Sequence, residues 1–262
     1  MIDLHIHLLP GIDDGPAEAA GTVELARACV ADGVKAVAAT PHVSENYPTT
    51  PERMRQGVVE VRAALKAAGV PLTVYGGAEV AIDRLGQLTD EELKALTLGP
   101  TEGFILLETP YAAWPMDLDN QLGRLATLDI RGILAHPERS RGVQAPGGIE
   151  KLELAVSRGL YTQVTAGSLS GRFGGSAAAA ANEMLQRELV TVIASDAHSA
   201  DRRPPRMGEA AAEVGDEALA RWLTTEAPLA IVRGERLPPR PPAPEPARGG
   251  MFGRKRRRQS SR

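Results

Sequence analysis

An α/β fold with a barrel-like parallel sheet is what this chain predicts, on three observations. Short β-rich runs alternate with helical patterns along most of the 262 residues, the arrangement that builds βα units and parallel sheets. About seven such units fit one α/β barrel, which commonly takes ~250 residues. His42, Glu79, Glu108, His136 and Asp196 all fall at or just after the end of a predicted strand. That rim is where α/β barrels gather catalytic residues distant in sequence.

The elements follow in order. Residues 1–7 form a strand in which His5 and His7 alternate, and residues 17–32 form a helix stopped by Gly33. A strand at 34–39 leads to Thr40-Pro41-His42, and a helix at 51–68 ends at Gly69. Glycine directly after a helix supplies the left-handed cap that other residues adopt at a cost. The strand at 72–78 contains Gly76-Gly77 and precedes Glu79. Thr89 followed by Asp90, Glu91 and Glu92 starts a helix over 89–96, with an N-terminal cap and acids suited to the helix dipole. The apolar run at 103–108 ends on Glu108, a helix covers 117–128, and the strand 131–135 runs into His136. A helix at 148–158 ends at Gly159; strands at 161–165 and 190–195 flank a helix at 175–188; a last helical region covers 207–226. At 165–175 the Gly-rich TAGSLSGRFGG stretch lacks both the P-loop ending and the dinucleotide-binding spacing, so it reads as a rim loop.

Composition excludes several classes. The 43% hydrophobic content contains no run near the ~18–20 residues that cross a bilayer, and the start lacks a signal-peptide pattern. The single cysteine, Cys29, rules out an internal disulfide framework and fits the cytoplasm. Aromatics at 3% are too few for base-stacking platforms, so nucleic acid is not an expected partner. The net charge of −3 conceals a division: residues 238–262 carry eight Lys/Arg against Glu245, leaving residues 1–237 at −10. The chain therefore divides into an acidic folded body, 1–237, and a Pro-rich basic tail, 238–262, whose composition predicts disorder. Any membrane contact would come through that tail.

All five histidines lie beside carboxylates at strand ends. His5 and His7, at i and i+2, point to one face of a strand and can chelate one ion. Asp13 and Asp14 follow in the turn PGIDDGP, and Asp196-Ala197-His198 repeats the i, i+2 geometry on the last strand. First and last strands are neighbours in a closed barrel, so the two pairs should face each other. Mixed imidazole and carboxylate donors suit Mn, Fe or Zn. Cys29 is followed six residues later by Lys35, not the Arg of a cysteine-phosphatase loop, and reads as a small packing residue.

The motifs HIHLLPGIDDG, ATPH, GAE, HPER, TAGSLSGRFG and SDAHSADRRPPRM, in that order between Met1 and about residue 235, resemble the PHP-type tyrosine-protein phosphatases of bacterial capsule and exopolysaccharide loci. PHP denotes the polymerase and histidinol phosphatase superfamily. The resemblance implies a distorted seven-stranded (β/α) barrel holding up to three metal ions, often manganese. It implies one ion held by His5, His7, Glu79 and Asp196, and a second by Glu79, Glu108 and His136. A third would take Asp14, His42 and His198, with Asp13 able to replace Asp14. One departure is Val43, where family members often carry a second histidine. Arg139, three residues after His136, and Arg203, before Pro204-Pro205, are candidate phosphate clamps, because a guanidinium fork matches phosphate oxygens. The implied reaction is hydrolysis of phosphotyrosine with water activated by the ions, Asp196 or a histidine shuttling the proton. The implied substrate is a bacterial tyrosine kinase controlling capsule synthesis. Two rivals stand beside this reading: a small-molecule phosphatase of the histidinol-phosphate type on the same scaffold, and a non-catalytic metal-bound interaction module.

Overall fold

A computed structural model describes residues 1–242. Its strands are all parallel: β1 (Ile2–Ile6), β2 (Ala36–Ala39), β3 (His42–Val43), β4 (Thr73–Gly76), β5 (Glu79–Ala81), β6 (Phe104–Glu108), β7 (Arg131–Ala135), β8 (Tyr161–Thr165) and β9 (Val192–Ala194). Hydrogen bonding divides them between two sheets, β1-β2-β4 and β3-β5-β6-β7-β8-β9.

The division comes from two interrupted strands. β2 breaks at Thr40-Pro41 and resumes as β3, while β4 breaks at Gly77-Ala78 and resumes as β5. The two interrupted strands run side by side, with Ala39 opposite Gly76 before the break and His42 opposite Glu79 after it. Pro41 has no N–H to give a ladder, yet its carbonyl accepts from Glu79 N at 3.0 Å. Gly77 is required by packing: a Cβ there would sit 2.6 Å from Leu98 Cδ2. The breaks turn His42 and Glu79 inward at the start of their new segments. At the other edge, β1 meets the chain just after β9. Ile6 forms a parallel bridge with Ala197, His7 N donates to Ala197 O at 2.9 Å, and Asp196 N donates to His5 O at 2.8 Å.

The helices cover the outside. α1 (Ala19–Ala31), α2 (Pro51–Ala67), α3 (Asp90–Ala95), α4 (Leu118–Thr127), α5 (Arg141–Gln144), α6 (Gly148–Ser157), α7 (Ala166–Leu169) and α8 (Gly175–Gln186) precede β9. Gly33, Gly69 and Gly159 follow their helices at φ of 86°, 65° and 102°, as expected of left-handed caps. α3 opens on a reciprocal capping box: Thr89 Oγ1 accepts from Glu92 N, and Glu92 Oε2 accepts from Thr89 N. The expected helix over 207–226 is instead α9 (Met207–Glu213), α10 (Glu217–Arg221), a π turn (Trp222–Glu226) and α11 (Ala227–Val232). Gly215 at φ 73° ends the first piece, and Asp216 starts the next by accepting from Leu219 N at 2.7 Å. Cys29 is fully buried on α1.

Of the expected tail, residues 243–262 lie outside the described residues. Its first residues rest on the body. Pro238 O accepts from Trp222 Nε1 at 3.1 Å, and Arg240 lies over the Trp222 ring while donating to Val190 O. Among the described residues no helix is long and apolar enough to cross a membrane.

Candidate metal centre

The site forms where the strands deliver their C-terminal ends. β1, whose pairing with β2 shifts register between Asp3 and Ile6, carries Asp3 and His5, and His7 follows directly after it. The rings of His5 and His7 are 5.4 Å apart, and their Nε2 atoms are 3.4 Å apart. The orientation is set from behind. His5 Nδ1 donates to Gln163 Oε1 at 2.9 Å, and His7 Nδ1 donates to Asp13 Oδ2 at 2.7 Å. With Nδ1 committed to these acceptors in both rings, it is the Nε2 atoms that face each other, an arrangement that suits a shared cation.

Glu79 is the hub. Its Oε2 stands 3.2 Å from His5 Nε2, 3.5 Å from His7 Nε2 and 3.1 Å from His42 Nδ1. None of these has the geometry of a hydrogen bond to that fully buried oxygen. Its Oε1 accepts from His136 Nε2 at 2.8 Å. Asp196 Oδ1 is 3.4 Å from the Nε2 of both His5 and His7. Asp14 Oδ1 lies 3.2 Å from His198 Nε2 and 3.5 Å from His42 Nε2, and Glu108 Oε2 lies 3.5 Å from His42 Nδ1. Four donor groups are compact enough to hold an ion: His7, Asp14, His42 and His198; His5, His136 and Asp196; His5, His7 and Glu79; His42, Glu79 and Glu108. Every candidate ligand from the sequence is in one of these groups. Glu108 falls with His42 as well as Glu79, and His136 falls with His5 and Asp196. Asp13 is turned outward from the groups, accepting from His42 N at 3.0 Å and Gly15 N at 3.1 Å besides His7.

The electrostatics fit a cationic occupant. Burial pushes the Glu79 and Asp196 carboxyls up, but the surrounding imidazoles, with Arg203 beside Asp196, hold both well below the usual carboxylate range. Burial likewise pushes His7 down, and Asp13, Asp196 and Glu79 raise it well above an ordinary imidazole. The donors therefore stay ionised and crowd protons between them, where a divalent ion would serve better.

Two of these residues hold unusual backbone. His136 has φ 34° and Asp196 φ 53°, the left-handed region that costs non-glycine residues energy. Such strain persists only where the surroundings over-determine it.

Both candidate clamp arginines reach this centre. Arg139 Nη1 donates to Asp196 Oδ2 at 2.5 Å and Nη2 to Tyr111 Oη at 2.7 Å. Arg203 also donates to Asp196 Oδ2, and its Nη1 to His198 Nε2 at 3.2 Å. The Tyr111 ring stacks on His136 at 5.6 Å with planes 5° apart, and Tyr47 stacks on His42 at 5.5 Å.

Several supporting residues went unread in the sequence. Asp3 Oδ1 accepts from His5 N and Ser195 N, tying the first strand to the last; burial pushes its carboxyl up to about 6. Gln163, in the middle of a buried strand, accepts from His5 and from His136 N. Glu138, inside HPER, is fully buried and accepts from Thr165 N at 3.0 Å and Ser168 Oγ at 2.6 Å. The available signal was a polar residue two positions from a histidine, or a long amide inside a strand that reads as buried.

A family model for capsular polysaccharide synthesis, CpsB/CapC, matches residues 1–232. The chain belongs to this family. Tyrosine-protein phosphatase YwqE of Bacillus subtilis (strain 168) is 32% identical over 251 residues, covering 93% of this chain and 96% of that protein. Tyrosine-protein phosphatase CpsB of Streptococcus pneumoniae is 28% identical over 218 residues, covering 80% of this chain and 88% of that one. A chain from crystal structures of YwqE and CpsB, described as unique metal-dependent tyrosine phosphatases, superposes with a TM-score of 0.83 at 29% identity, covering 93% of this chain and 99% of that chain. A β-aspartyl dipeptidase from Fervidobacterium islandicum shares the fold alone, with a TM-score of 0.56 at 15% identity, covering 90% of this chain and 74% of that one. The CpsB/CapC match ends before Pro238 and Arg240, so their docking on Trp222 lies beyond it.

Proposed function

We propose that this CpsB/CapC chain is a metal-dependent protein-tyrosine phosphatase acting in capsule or exopolysaccharide synthesis. Its substrate would be phosphotyrosine on a bacterial tyrosine kinase, in the cytoplasm. The observation that carries this reading is the buried Glu79 Oε2, set among three imidazole nitrogens with no hydrogen bond to satisfy it. A buried carboxylate oxygen left this way is costly unless a cation completes it.

On this reading His5, His7, Glu79 and Asp196 hold one ion, with His136 and Glu108 flanking Glu79 to hold a second. Asp14, His42 and His198 hold a third. The all-N/O donor set suits Mn²⁺, with Fe or Zn as competitors. When bound, such ions supply Lewis acidity and a nucleophile at neutral pH. Arg139 and Arg203 bind the phosphate oxygens and offset their charge. Tyr111 orients Arg139 through its hydroxyl. Asp196, held ionised by the imidazoles and Arg203, is suited to ligate an ion and is not a proton donor; the proton would pass by way of a histidine of the site. Asp13 and Gln163 keep the Nε2 lone pairs of His7 and His5 aimed inward.

The two sheets, joined through the interrupted strand pair and the Ile6–Ala197 bridge, support a distorted seven-position barrel as the underlying plan. Residues 1–237 would be the phosphatase unit and 238–262 a separate tail.

The test compares hydrolysis of a phosphotyrosine peptide, histidinol phosphate and simple alkyl phosphates by the purified protein. Each is measured after chelation and after readdition of Mn²⁺, Fe²⁺ or Zn²⁺. Peptide hydrolysis lost on chelation and restored by Mn²⁺ is expected. Preference for histidinol phosphate would move the chain to small-molecule chemistry, and no hydrolysis with any ion would leave a metal-bound interaction module.

A further inference from the structure

The TAGSLSGRFG segment is not accounted for by metal or phosphate contacts. It follows β8 as α7 and a turn between Gly171 and Gly174. Phe173, in that turn, lies beneath both arginines. The Arg139 guanidinium carbon is 4.4 Å from the Phe173 ring centroid, and that of Arg203 is 5.5 Å from it. Two like charges on one phenyl ring are drawn to its negative face.

The ring also packs along its edge against α7. A Cβ at Gly167 would stand 3.0 Å from Phe173 Cε2, so any larger residue would press the ring out by a few tenths of an ångström. Neighbouring Ser168 is fixed by its Oγ donating to Glu138 Oε1, and Thr165 N donates to the same oxygen. Glu138 immediately precedes Arg139 in the chain. The turn that carries the arginine and the segment that carries the ring are therefore joined by a buried carboxylate.

We infer that Phe173, seated on Gly167, is the platform that holds Arg139 and Arg203 in register to grip one phosphoryl group. The inference rests on the reading of the two arginines as a phosphate clamp. It identifies a positioning residue, since Phe173 touches the arginines and not the reacting atoms. The platform is needed because the other anchor is shared. Both guanidiniums now lean on Asp196 Oδ2, and Asp196 is also a proposed metal ligand. An ion and a phosphate both compete for that contact. The ring does not compete, because it offers no donor atom to either. Each arginine has one further partner, Tyr111 Oη for Arg139 and His198 Nε2 for Arg203, and Arg139 lies nearer the ring.

The test uses the full-length metal-loaded protein with inorganic phosphate as the probe. Binding is followed by calorimetry, metal content by elemental analysis, and kcat and KM on a phosphotyrosine peptide. Phe173→Leu removes the π face but keeps apolar volume; Phe173→Tyr restores the face; Gly167→Ala presses on the ring edge while leaving the phenyl group itself intact. Phe173→Leu and Gly167→Ala should retain metal and bind phosphate about tenfold more weakly, by the scale of two cation–π contacts. Phe173→Tyr should stay within about twofold of the parent. Arg139→Ala and Arg203→Ala are the reference. If they weaken phosphate binding and Phe173→Leu does not, the platform is wrong and the clamp stands. If neither arginine variant weakens it, the clamp reading itself fails. A Phe173→Leu protein that loses metal, or one not rescued by tyrosine, would make the ring a general packing element and overturn the inference.

Discussion

Asp13 stands directly behind His7: its Oδ2 accepts from His7 Nδ1 at 2.7 Å while also accepting from His42 N at 3.0 Å. One carboxylate thus orients one imidazole and fixes the backbone of another. Asp13→Ala should lower metal affinity about 10–100-fold, the usual effect of losing a carboxylate behind a ligating histidine. Competition with a metal indicator checks this, and parental affinity in the folded variant would exclude the role.

Metal uptake should strengthen as pH rises. Burial lowers His5, His7 and His42, but Glu79 and the other facing carboxylates outweigh it, so all three sit above 6.5 in the metal-free protein. Protons held there must leave before an ion binds. Raised imidazoles stabilise the metal-free fold fully below pH 6.5, and that contribution fades as pH rises through the folded values. Thermal melts from pH 6 to 9 should therefore show a widening gap in favour of the loaded protein. A gap that narrows across this range would contradict the protonation scheme.

Cys29→Ser should keep turnover while chelation removes it. Burial, with Asp3 and Asp32 adding to it, pushes the thiol well above its ordinary range, so no thiolate is available. The serine hydroxyl in that buried position should cost of order 1–3 kcal/mol, seen as a lower Tm. A folded but inactive Cys29→Ser protein with full metal would point to thiol chemistry.

Arg139→Ala should keep its metals, since a guanidinium offers them no lone pair, and should lose about tenfold to a hundredfold in kcat/KM. That corresponds to a charged hydrogen bond worth roughly 1.5–3 kcal/mol. Arg139→Lys should recover only part, because an ammonium cannot donate to Asp196 and Tyr111 in one plane. Elemental analysis and steady-state kinetics on the two proteins decide it.

His136→Ala should lose activity and metal content together. His136→Asn should lose them equally but fold better, because asparagine accepts the left-handed backbone at φ 34° more readily than alanine. A difference of about 1 kcal/mol in unfolding free energy is the expected scale. Equal stability would mean the turn relaxes once the imidazole is gone.

Much of this was legible from residue order. The strands Arg131–Ala135 and Tyr161–Thr165 lie where the apolar runs place them, and Gly33 and Gly69 end helices as their positions indicate. The histidines and acids converge because a parallel sheet brings all its strand ends to one rim. The breaks at Pro41 and Gly77 were harder to read, since each depends on contacts between segments distant in sequence. Whether Asp13 or Asp14 faces the centre depends on the rotation of one turn, and neighbouring identical residues carry no signal for it. Gln163 and Glu138 act from behind other side chains, so their roles appear only once three elements are packed together.

The anchoring of Pro238 and Arg240 beside Trp222 and Val190 has a practical side. Val190 precedes β9 and Asp196 follows it, so roughly 20 Å of extended chain, at ~3.3 Å per residue, separates the point of exit from the catalytic rim. A bead or chip coupled at Arg240 itself would hold the molecule by the end of β9 away from that rim and leave the rim facing solution. Phosphopeptides in the bulk would reach such an immobilised enzyme, whereas those grafted close by on the same support would face the end remote from the rim.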